Sequence, residues 1–227
     1  MGIKDLKENL AYSCNILANE GHWDNILGHV TVRIPNTNKA LMKPHGFGFE
    51  EIRPRHIITV DIETGKKIEG KYERHSEVFI HTEILKARPD VNSVVHTHQP
   101  LATAFSVAGV PLLPIYNQAA PFAPETPIFP SPRLITTVQD GTEVARTLGD
   151  RMAMLLQGHG IIMVGDSLEY ATVHAIYLER TAYMQWIASS VGKPVTMPQK
   201  EIDIMRENMV YRAYDAFNYF LSLLPGR

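Results

Sequence analysis

The stretch Val91-Asn92-Ser93-Val94-Val95-His96-Thr97-His98 ends a mainly apolar run with two histidines that lie two residues apart. A short apolar run of this kind is typical of a buried β-strand. Because strand side chains alternate between two faces, His96 and His98 are predicted to point the same way, with their backbones roughly 7 Å apart. This spacing suits two ligands of one metal ion, and it also suits two hydrogen-bonded histidines without a metal.

Two further side chains extend the candidate ligand set. Glu77 lies upstream in the segment His75-Ser76-Glu77, and His159 lies downstream between two glycines, Gly158 and Gly160. Glycine is typical of positions where the backbone takes a positive φ or comes close to another group, so this histidine is expected to be specifically placed. Three imidazoles and a carboxylate favour Zn, Mn, Co or Fe(II) over a thiolate-type site.

The composition excludes several functional classes. The chain has 227 residues, 44% of them hydrophobic, and is expected to form one domain over residues 1–227 rather than two small ones. Its net charge of −2 gives no electrostatic footprint for nucleic acid or a membrane surface. The one cysteine, Cys14, excludes an internal disulfide and fits a reducing compartment. With no run of membrane-spanning length and no visible signal peptide, a soluble, cytoplasmic protein is expected.

The pattern of apolar residues predicts alternating helices and strands. Helices are predicted over residues 3–20, 76–87, 100–107, 142–148, 167–190 and 200–220. Strands, the first of them half-buried, are predicted over residues 30–34, 40–42, 57–60, 91–98, 112–115, 152–156 and 161–164. The proline-rich residues 117–139 are predicted to be a long loop. Several strands lie too close together for crossover helices, so we expect an α/β fold with a mixed, mainly antiparallel sheet covered by helices.

Four motifs together resemble the class II aldolase/adducin family. In order and spacing they are His75-Ser76-Glu77, Ala87-Arg88-Pro89-Asp90, Val94-Val95-His96-Thr97-His98 and Gly158-His159-Gly160. The resemblance implies a three-layer α/β/α fold around a nine-stranded sheet, and commonly a homotetramer. It also implies one divalent metal ion per subunit, bound by three histidines that match His96, His98 and His159. Glu77 matches an acidic residue that ligates the metal or serves as acid/base.

The chain departs from the family pattern at the phosphate cradle. Sugar-phosphate aldolases and epimerases of the family carry Gly-Asn-Val-Ser, Thr-Gly and Ser-Ser segments there, whereas this chain has imidazoles at three of those places. Imidazoles can bind a carboxylate or a phenolic oxygen through one or two hydrogen bonds each, or they can simply pack around a remnant of the cradle. The candidate substrate-binding residues are His29, His45, Gly46, His75 and Ser76.

This altered cradle is similar to that of the family's decarboxylase branch, whose members act on hydroxylated aromatic dicarboxylates such as dihydroxyphthalate. The expected function is therefore that of a metal-dependent carbon–carbon lyase, a decarboxylase of a small molecule. The alternatives are an aldolase or epimerase of a sugar or hydroxy-keto acid, and a non-catalytic adducin-like interaction module. Glu77 is the first candidate for the general acid. Tyr116, which matches a tyrosine used in the aldolases, is the second, although a core tyrosine with its hydroxyl at the surface is equally compatible.

The remaining histidines are interpreted as structural. His22 follows a helix-ending glycine and is predicted to lie at the surface, while His81 and His174 are predicted to pack or pair on helices. Two tyrosines near the C-terminus, Tyr211 and Tyr214, stay open, because a tyrosine in that region reaches a neighbouring subunit's site in some family members.

Overall fold

A computed structural model describes residues 2–22 and 24–225, and within them eight strands form one sheet. The strands are β1 His29–Arg33, β2 Lys39–Met42, β3 Ile58–Asp61, β4 Lys67–Glu69, β5 Ser93–Thr97, β6 Ile128–Phe129, β7 Ala153–Leu156 and β8 Gly160–Gly165. Their order across the sheet is β4-β3-β2-β1-β5-β8-β7-β6. Every pair is antiparallel except β6 with β7. The predicted mixed, mainly antiparallel sheet is confirmed.

Helices cover both faces of this sheet. They are α1 Ile3–Asn19, α2 Val78–Ala87, α3 Pro100–Val107, α4 Val138–Leu148, α5 Leu168–Val191 and α6 Gln199–Ser222. Adjacent residues of β5 divide between two cores, as a strand with a period of two requires. Val95 joins the core shared with α1, α3, α5 and α6, whereas Val94 joins the core shared with α2 and α4. The fold is therefore the three-layer α/β/α arrangement that the family resemblance implies.

Strand β1 is buried on both faces, so the prediction of a half-buried strand was wrong. Val30 and Val32 face the core beneath α1 and α5. The alternate residues His29 and Thr31 do not face solvent, because α2 covers that side and brings His81 against them. Polar residues at these positions therefore need partners inside the protein.

The predicted strand over residues 112–115 is absent from the described part of the chain, and the sheet there has eight strands rather than nine. Pro111 and Pro114 supply no N–H groups for a ladder. The Leu112 N–H donates to Thr126 Oγ1, and the Leu113 N–H donates to Gln185 Oε1. Side chains thus satisfy backbone groups that a neighbouring strand would otherwise pair.

Residues 117–139 contain more structure than the predicted long loop. A 3₁₀ helix spans Asn117–Phe122, and β6 pairs in parallel with β7. Helix α4 begins at Val138, four residues before its predicted start, because the Thr137 hydroxyl caps it by accepting from the Asp140 N–H at 3.1 Å. The predicted cap of α5 is confirmed, since Ser167 Oγ accepts from the Tyr170 N–H at 3.2 Å.

No helix within the described ranges is both long enough and apolar enough to span a membrane.

Gly141 lets α4 approach α2 closely. A Cβ at this position would overlap the carbonyl oxygen of Phe79 and would lie 2.6 Å from Glu83 Cγ. The obstacle includes backbone, which cannot rotate away as the end of a long side chain can. Helix α2 follows directly after Glu77, so the packing of α4 on α2 also supports one side of the candidate site.

The substitution Gly141→Ala is expected to lower the free energy of unfolding by about 1–3 kcal/mol, the usual cost of overpacking. A loss of stability is expected even though alanine has a higher helix propensity than glycine. Urea denaturation followed by circular dichroism measures the change. Gly192→Ala is the matched control, because an added Cβ there meets nothing within 4 Å, and its effect should stay within about 0.5 kcal/mol. A Gly141→Ala protein as stable as the wild type would refute the close-packing explanation.

Candidate metal centre

The ends of two strands and the start of one helix bring four potential ligands together. His96 lies near the end of β5, His98 follows that strand, and His159 precedes β8, which pairs with β5 through Thr97 and Ile161. Glu77 directly precedes α2. One potential ligand atom from each of the four residues lies within 4.8 Å of the others, so the group could hold a metal ion.

The two glycines beside His159 serve different purposes. Gly158 has a φ of +64°, a left-handed conformation that most residues adopt only with strain. Gly160 has little space around its α-carbon, because a Cβ there would overlap the Thr97 carbonyl oxygen and would lie 3.1 Å from His98 Cδ2. The first glycine allows the turn, and the second allows His159 to approach the end of β5.

The hydrogen bonds of His96 and His98 leave a lone pair on each Nε2 atom. His96 Nδ1–H donates to the Ile161 carbonyl oxygen at 2.9 Å, and His98 Nδ1–H donates to Asp24 Oδ2 at 2.8 Å. A neutral imidazole that donates from Nδ1 is unprotonated at Nε2. The two Nε2 atoms are 3.2 Å apart, an arrangement in which their lone pairs repel unless a cation or proton lies with them.

The surroundings of His159 also fit a metal ion. Both of its ring nitrogens are buried, and neither has a hydrogen-bond partner in the described portion of the chain. Its Nε2 lies 3.6 Å from Glu77 Oε1. Burial, followed by the neighbouring His98 and His159, holds the pKa of His96 well below its usual range, so His96 is the neutral ligand that a metal needs.

Glu77 is set up as a carboxylate rather than as a carboxylic acid. Its Oε1 accepts a hydrogen bond from the Ile135 N–H at 2.9 Å. Burial raises the pKa of Glu77, but contact with His159 and the Ile135 N–H lowers it by more, so the net pKa lies below the ordinary value. This state suits a metal ligand or a base, and Glu77 can act as a general acid only after it has accepted a proton.

Asp24 is a site residue that the sequence interpretation missed. Its Oδ2 accepts from both the backbone N–H and the Nδ1–H of His98. Gly28 makes room for it, since a Cβ on Gly28 would lie 2.6 Å from the same oxygen. No periodicity marks Asp24, but it stands in the loop that enters β1, the neighbour of β5. A carboxylate in that loop is the signal that could have identified it.

The prediction that His22 lies at the surface was wrong. Its side chain is buried, and its Nδ1 is 3.1 Å from Thr97 Oγ1. Burial, against the opposing effect of Asp24, lowers the pKa of His22 to about 3. The loop after α1 folds over the end of β5 instead of projecting into solvent, so His22 braces the residue between the two candidate ligands.

The predicted substrate-binding histidines form a row that meets the candidate ligand set. Ring centroids are 5.2 Å apart for His45 and His75, 4.5 Å for His75 and His29, and 4.8 Å for His29 and His96. His45 is exposed, as are Gly46 and Ser76, whereas His75 and His29 are buried. The row therefore runs from the surface to the candidate metal ligands.

The inner members of this histidine row are uncharged. Burial and then the neighbouring Lys43 lower the pKa of His75 to about 2, and its Nε2–H donates to the Pro44 carbonyl oxygen at 3.1 Å. Burial and the surrounding imidazoles hold the pKa of His29 well below its usual range. The imidazoles themselves therefore offer hydrogen bonds without positive charge, and positive charge beside them comes from Lys43, whose Nζ lies 3.5 Å from His75 Nε2.

Three tyrosines are candidate or undecided site residues from the sequence alone, namely Tyr116, Tyr211 and Tyr214. The Tyr116 hydroxyl is 3.4 Å from Thr181 Oγ1 on α5, and burial raises its pKa. Tyr211 and Tyr214 are exposed on α6. Among the described residues, no hydrogen bond or ring contact joins any of the three to the four candidate ligands.

Comparisons with known proteins agree with this fold. Residues 8–186 match the family model described as class II aldolase and adducin N-terminal domain. A 3,4-dihydroxyphthalate decarboxylase from Arthrobacter keyseri is 32% identical over 198 residues, which cover 82% of this chain and 79% of that protein. The decarboxylase NovR from Streptomyces niveus is 32% identical over 178 residues, covering 77% and 66% respectively. The solved L-fuculose 1-phosphate aldolase from Glaciozyma antarctica PI12 superposes with a TM-score of 0.84 and 26% identity, covering 97% of this chain and 90% of that one.

The substitution Asp24→Asn is expected to weaken Zn²⁺ binding by about 10- to 100-fold, because the carboxylate that orients His98 is lost while the ligands stay in place. Competition with a chromophoric chelator measures the dissociation constant. His159→Ala should have a larger effect, since it removes one of the proposed ligands.

Asp61→Asn is the matched control for this measurement. Asp61 also accepts local hydrogen bonds, from the backbone and the hydroxyl of Thr64, but it lies on β3, outside the ligand group. An Asp24→Asn protein that binds Zn²⁺ as tightly as the Asp61→Asn protein would exclude the orienting role.

Proposed function

The chain belongs to the class II aldolase and adducin family, and we propose that it is a metal-dependent lyase that removes CO₂ from a hydroxylated aromatic or heteroaromatic carboxylate. Dihydroxyphthalate represents this substrate class. The observation that carries the proposal is the row of imidazoles that joins the surface to the candidate ligand set. The similarity to a 3,4-dihydroxyphthalate decarboxylase and to a second decarboxylase supports it.

In this proposal, His96, His98 and His159 hold one divalent ion, Zn, Mn, Co or Fe(II), with Glu77 beside them. When bound, such an ion supplies Lewis-acid stabilisation for the negative charge that develops as the carbon–carbon bond breaks. The hydrogen bonds from His96 to the Ile161 carbonyl and from His98 to Asp24 keep two ligands fixed in orientation.

Glu77 is proposed as the residue that moves the proton. Loss of CO₂ from an aromatic ring leaves an electron pair on carbon, and one proton must replace the lost carboxylate. Because its pKa is lowered, Glu77 begins as a carboxylate that can accept the proton of the substrate's hydroxyl group. It can then return that proton to the ring carbon, which completes the exchange of CO₂ for hydrogen. Tyr116 is the alternative proton donor.

The imidazole row is proposed to bind a substrate carboxylate. A phosphate dianion is best held by many convergent donors, including backbone N–H groups. A neutral imidazole supplies one donor. Because His75 donates its own to the Pro44 carbonyl oxygen, His29 and His45 are left to orient a planar carboxylate whose other groups face the ligand set. Aldol cleavage of a sugar phosphate is the second candidate, because the fold matches that of a solved L-fuculose 1-phosphate aldolase.

The decisive assay offers the metal-loaded protein two sets of compounds, hydroxylated aromatic dicarboxylates and sugar phosphates. We expect release of CO₂ from the first set, which coupled carbonate detection measures, and no aldehyde from the second. Glu77→Gln should reduce kcat at least 100-fold, within the usual contribution of acid–base catalysis. His45→Ala should chiefly raise KM, because His45 is exposed at the outer end of the row.

His56→Gln is the control for the histidine substitutions. His56 is buried against Phe47, outside both the ligand group and the imidazole row, and its substitution should leave kcat and KM within about twofold. Aldehyde release from a sugar phosphate, with no CO₂ from any carboxylate, would establish the aldolase alternative instead.

We also propose that the chain assembles as a homotetramer. Large apolar or aromatic side chains are exposed on α5 and α6, including Tyr183, Trp186, Ile187, Tyr211 and Tyr214. Such surface is typical of an association interface. Light scattering at micromolar concentration should give four times the 25.5 kDa of one chain, and a monomeric mass would exclude the assembly.

A further inference from the structure

A chain of three buried polar side chains lies behind the imidazole row. Thr31 and His29 project from the same face of β1 toward α2, where His81 lies between them. Thr31 Oγ1 is 2.8 Å from His81 Nδ1, and His81 Nε2 is 2.6 Å from His29 Nδ1. All three residues are fully buried. The chain ends at His29 Nε2, which has no hydrogen-bond partner among the residues that the structure describes.

The Thr31 hydroxyl decides where the protons of this chain lie. Within the described residues, the hydrogen bond of the Thr31 hydroxyl is the one to His81 Nδ1. If His81 donated from Nδ1, the Thr31 proton would have no acceptor between β1 and α2, and a buried donor without a partner is costly. The opposite direction moves the unpaired donor to His29 Nε2, beside the candidate ligand set and the imidazole row, where a bound oxygen can accept from it. Thr31 therefore donates to His81 Nδ1. His81 must then carry its proton on Nε2 and donate to His29 Nδ1, which leaves the proton of a neutral His29 on Nε2.

The free N–H of His29 lies where the candidate ligand set meets the imidazole row. Its ring is between His96, at a centroid distance of 4.8 Å, and His75, at 4.5 Å. The protein supplies no acceptor to this donor among the described residues. Because Nε2 is buried, an oxygen reaches it only when a covering ring shifts, and the row leads outward through His75 to the exposed His45.

We propose that Thr31, acting through His81, fixes the proton of His29 on Nε2 and so makes this nitrogen a hydrogen-bond donor for a carboxylate oxygen of the substrate. The identity of the ligand rests on the proposed function, whereas the position of the proton requires only an oxygen acceptor, from water or any ligand, at His29 Nε2. His81 and Thr31 are positioning residues, since they act through His29.

The position of the proton can be measured directly by NMR. Protein labelled with ¹⁵N on its histidine rings and loaded with diamagnetic Zn²⁺ gives long-range ¹H–¹⁵N correlations that distinguish the two neutral tautomers. The His29 signals are identified by their loss in His29→Gln. We expect His29 to carry its proton on Nε2 in the wild type, and a proton on Nδ1 would overturn the proposal whatever the enzyme's substrate is.

Substitutions at Thr31 test how the proton is fixed. Thr31→Val keeps the shape of the side chain but removes the donor, so His29 should become a mixture of tautomers, and Thr31→Ser should restore the single form. Thr59→Val, which removes a buried hydroxyl from β3, controls for the general effect of such a loss. If His29 keeps one tautomer in Thr31→Val, Thr31 does not fix the proton.

Steady-state kinetics with 3,4-dihydroxyphthalate tests the role toward substrate. Thr31→Val should raise KM about five- to tenfold, because only the tautomer with its proton on Nε2 binds and its share would fall to about 10–20%. It should change kcat less. Thr31→Ser should return KM toward the wild-type value. An unchanged KM together with a mixed tautomer would overturn the role in binding. A wild-type protein that does not turn over this compound would instead count against the proposed function, and the NMR result would still decide the position of the proton.

Discussion

The antiparallel pairing of β5 with its two neighbours is the constraint on which the candidate site depends. β8 on one side places His159 beside the end of β5, and β1 on the other side places His29 directly opposite His96. A one-residue slip in either pairing would turn these side chains to the other face of the sheet. The apolar neighbours on the same strands prevent such a slip, because Val94 and Val95 are committed to different cores. Hydrophobic burial therefore sets the register, and the register sets the positions of the imidazoles.

Polar residues inside a sheet that is covered on both faces must find partners within the protein, and this need explains much of the site. Asp24 is hydrogen-bonded to His98, the Ile161 carbonyl to His96, and Thr31 to His81. Each partner fixes an imidazole that would otherwise rotate or change tautomer. Five buried side-chain atoms have no partner among the described residues, and the three on His159 and His29 lie where a metal ion and a substrate are proposed to bind; the other two are Thr103 Oγ1 and His174 Nε2. In His29, His96 and His98, Nδ1 is thus hydrogen-bonded within the protein and the other ring nitrogen is left for binding, whereas in His159 neither nitrogen is paired within the described part of the chain.

The parts of this structure that follow from local periodicity could be predicted from sequence. The two-residue alternation in β5 placed His96 and His98 together, and the glycines around His159 indicated a constrained turn. The contacts of Asp24 and His22 were missed, because their positions depend on how the loop after α1 folds over β5; for Asp24, the only sequence signal is a carboxylate in that loop. The absence of a strand over residues 112–115 could not be predicted either. The backbone N–H groups there are paired with the side chains of Thr126 and Gln185, which are distant in sequence. His81 fitted a packing role by its helical position, and its contact with β1 appears only in three dimensions.

The abundance of buried neutral histidine makes this fold sensitive to acid. Burial lowers the pKa of His22 and His81 to about 3, and that of His174 to about 4, whereas in the unfolded chain each would titrate near its ordinary value of about 6.5. Below about pH 6.5 these histidines are protonated in the unfolded state but not in the folded state. The free energy of unfolding therefore decreases as the pH falls toward the folded-state pKa values. The cost is about 1.4 kcal/mol per histidine for each pH unit in this range. A protein built around uncharged imidazoles therefore has a lower pH limit for folding that is set by its interior rather than by its surface charge.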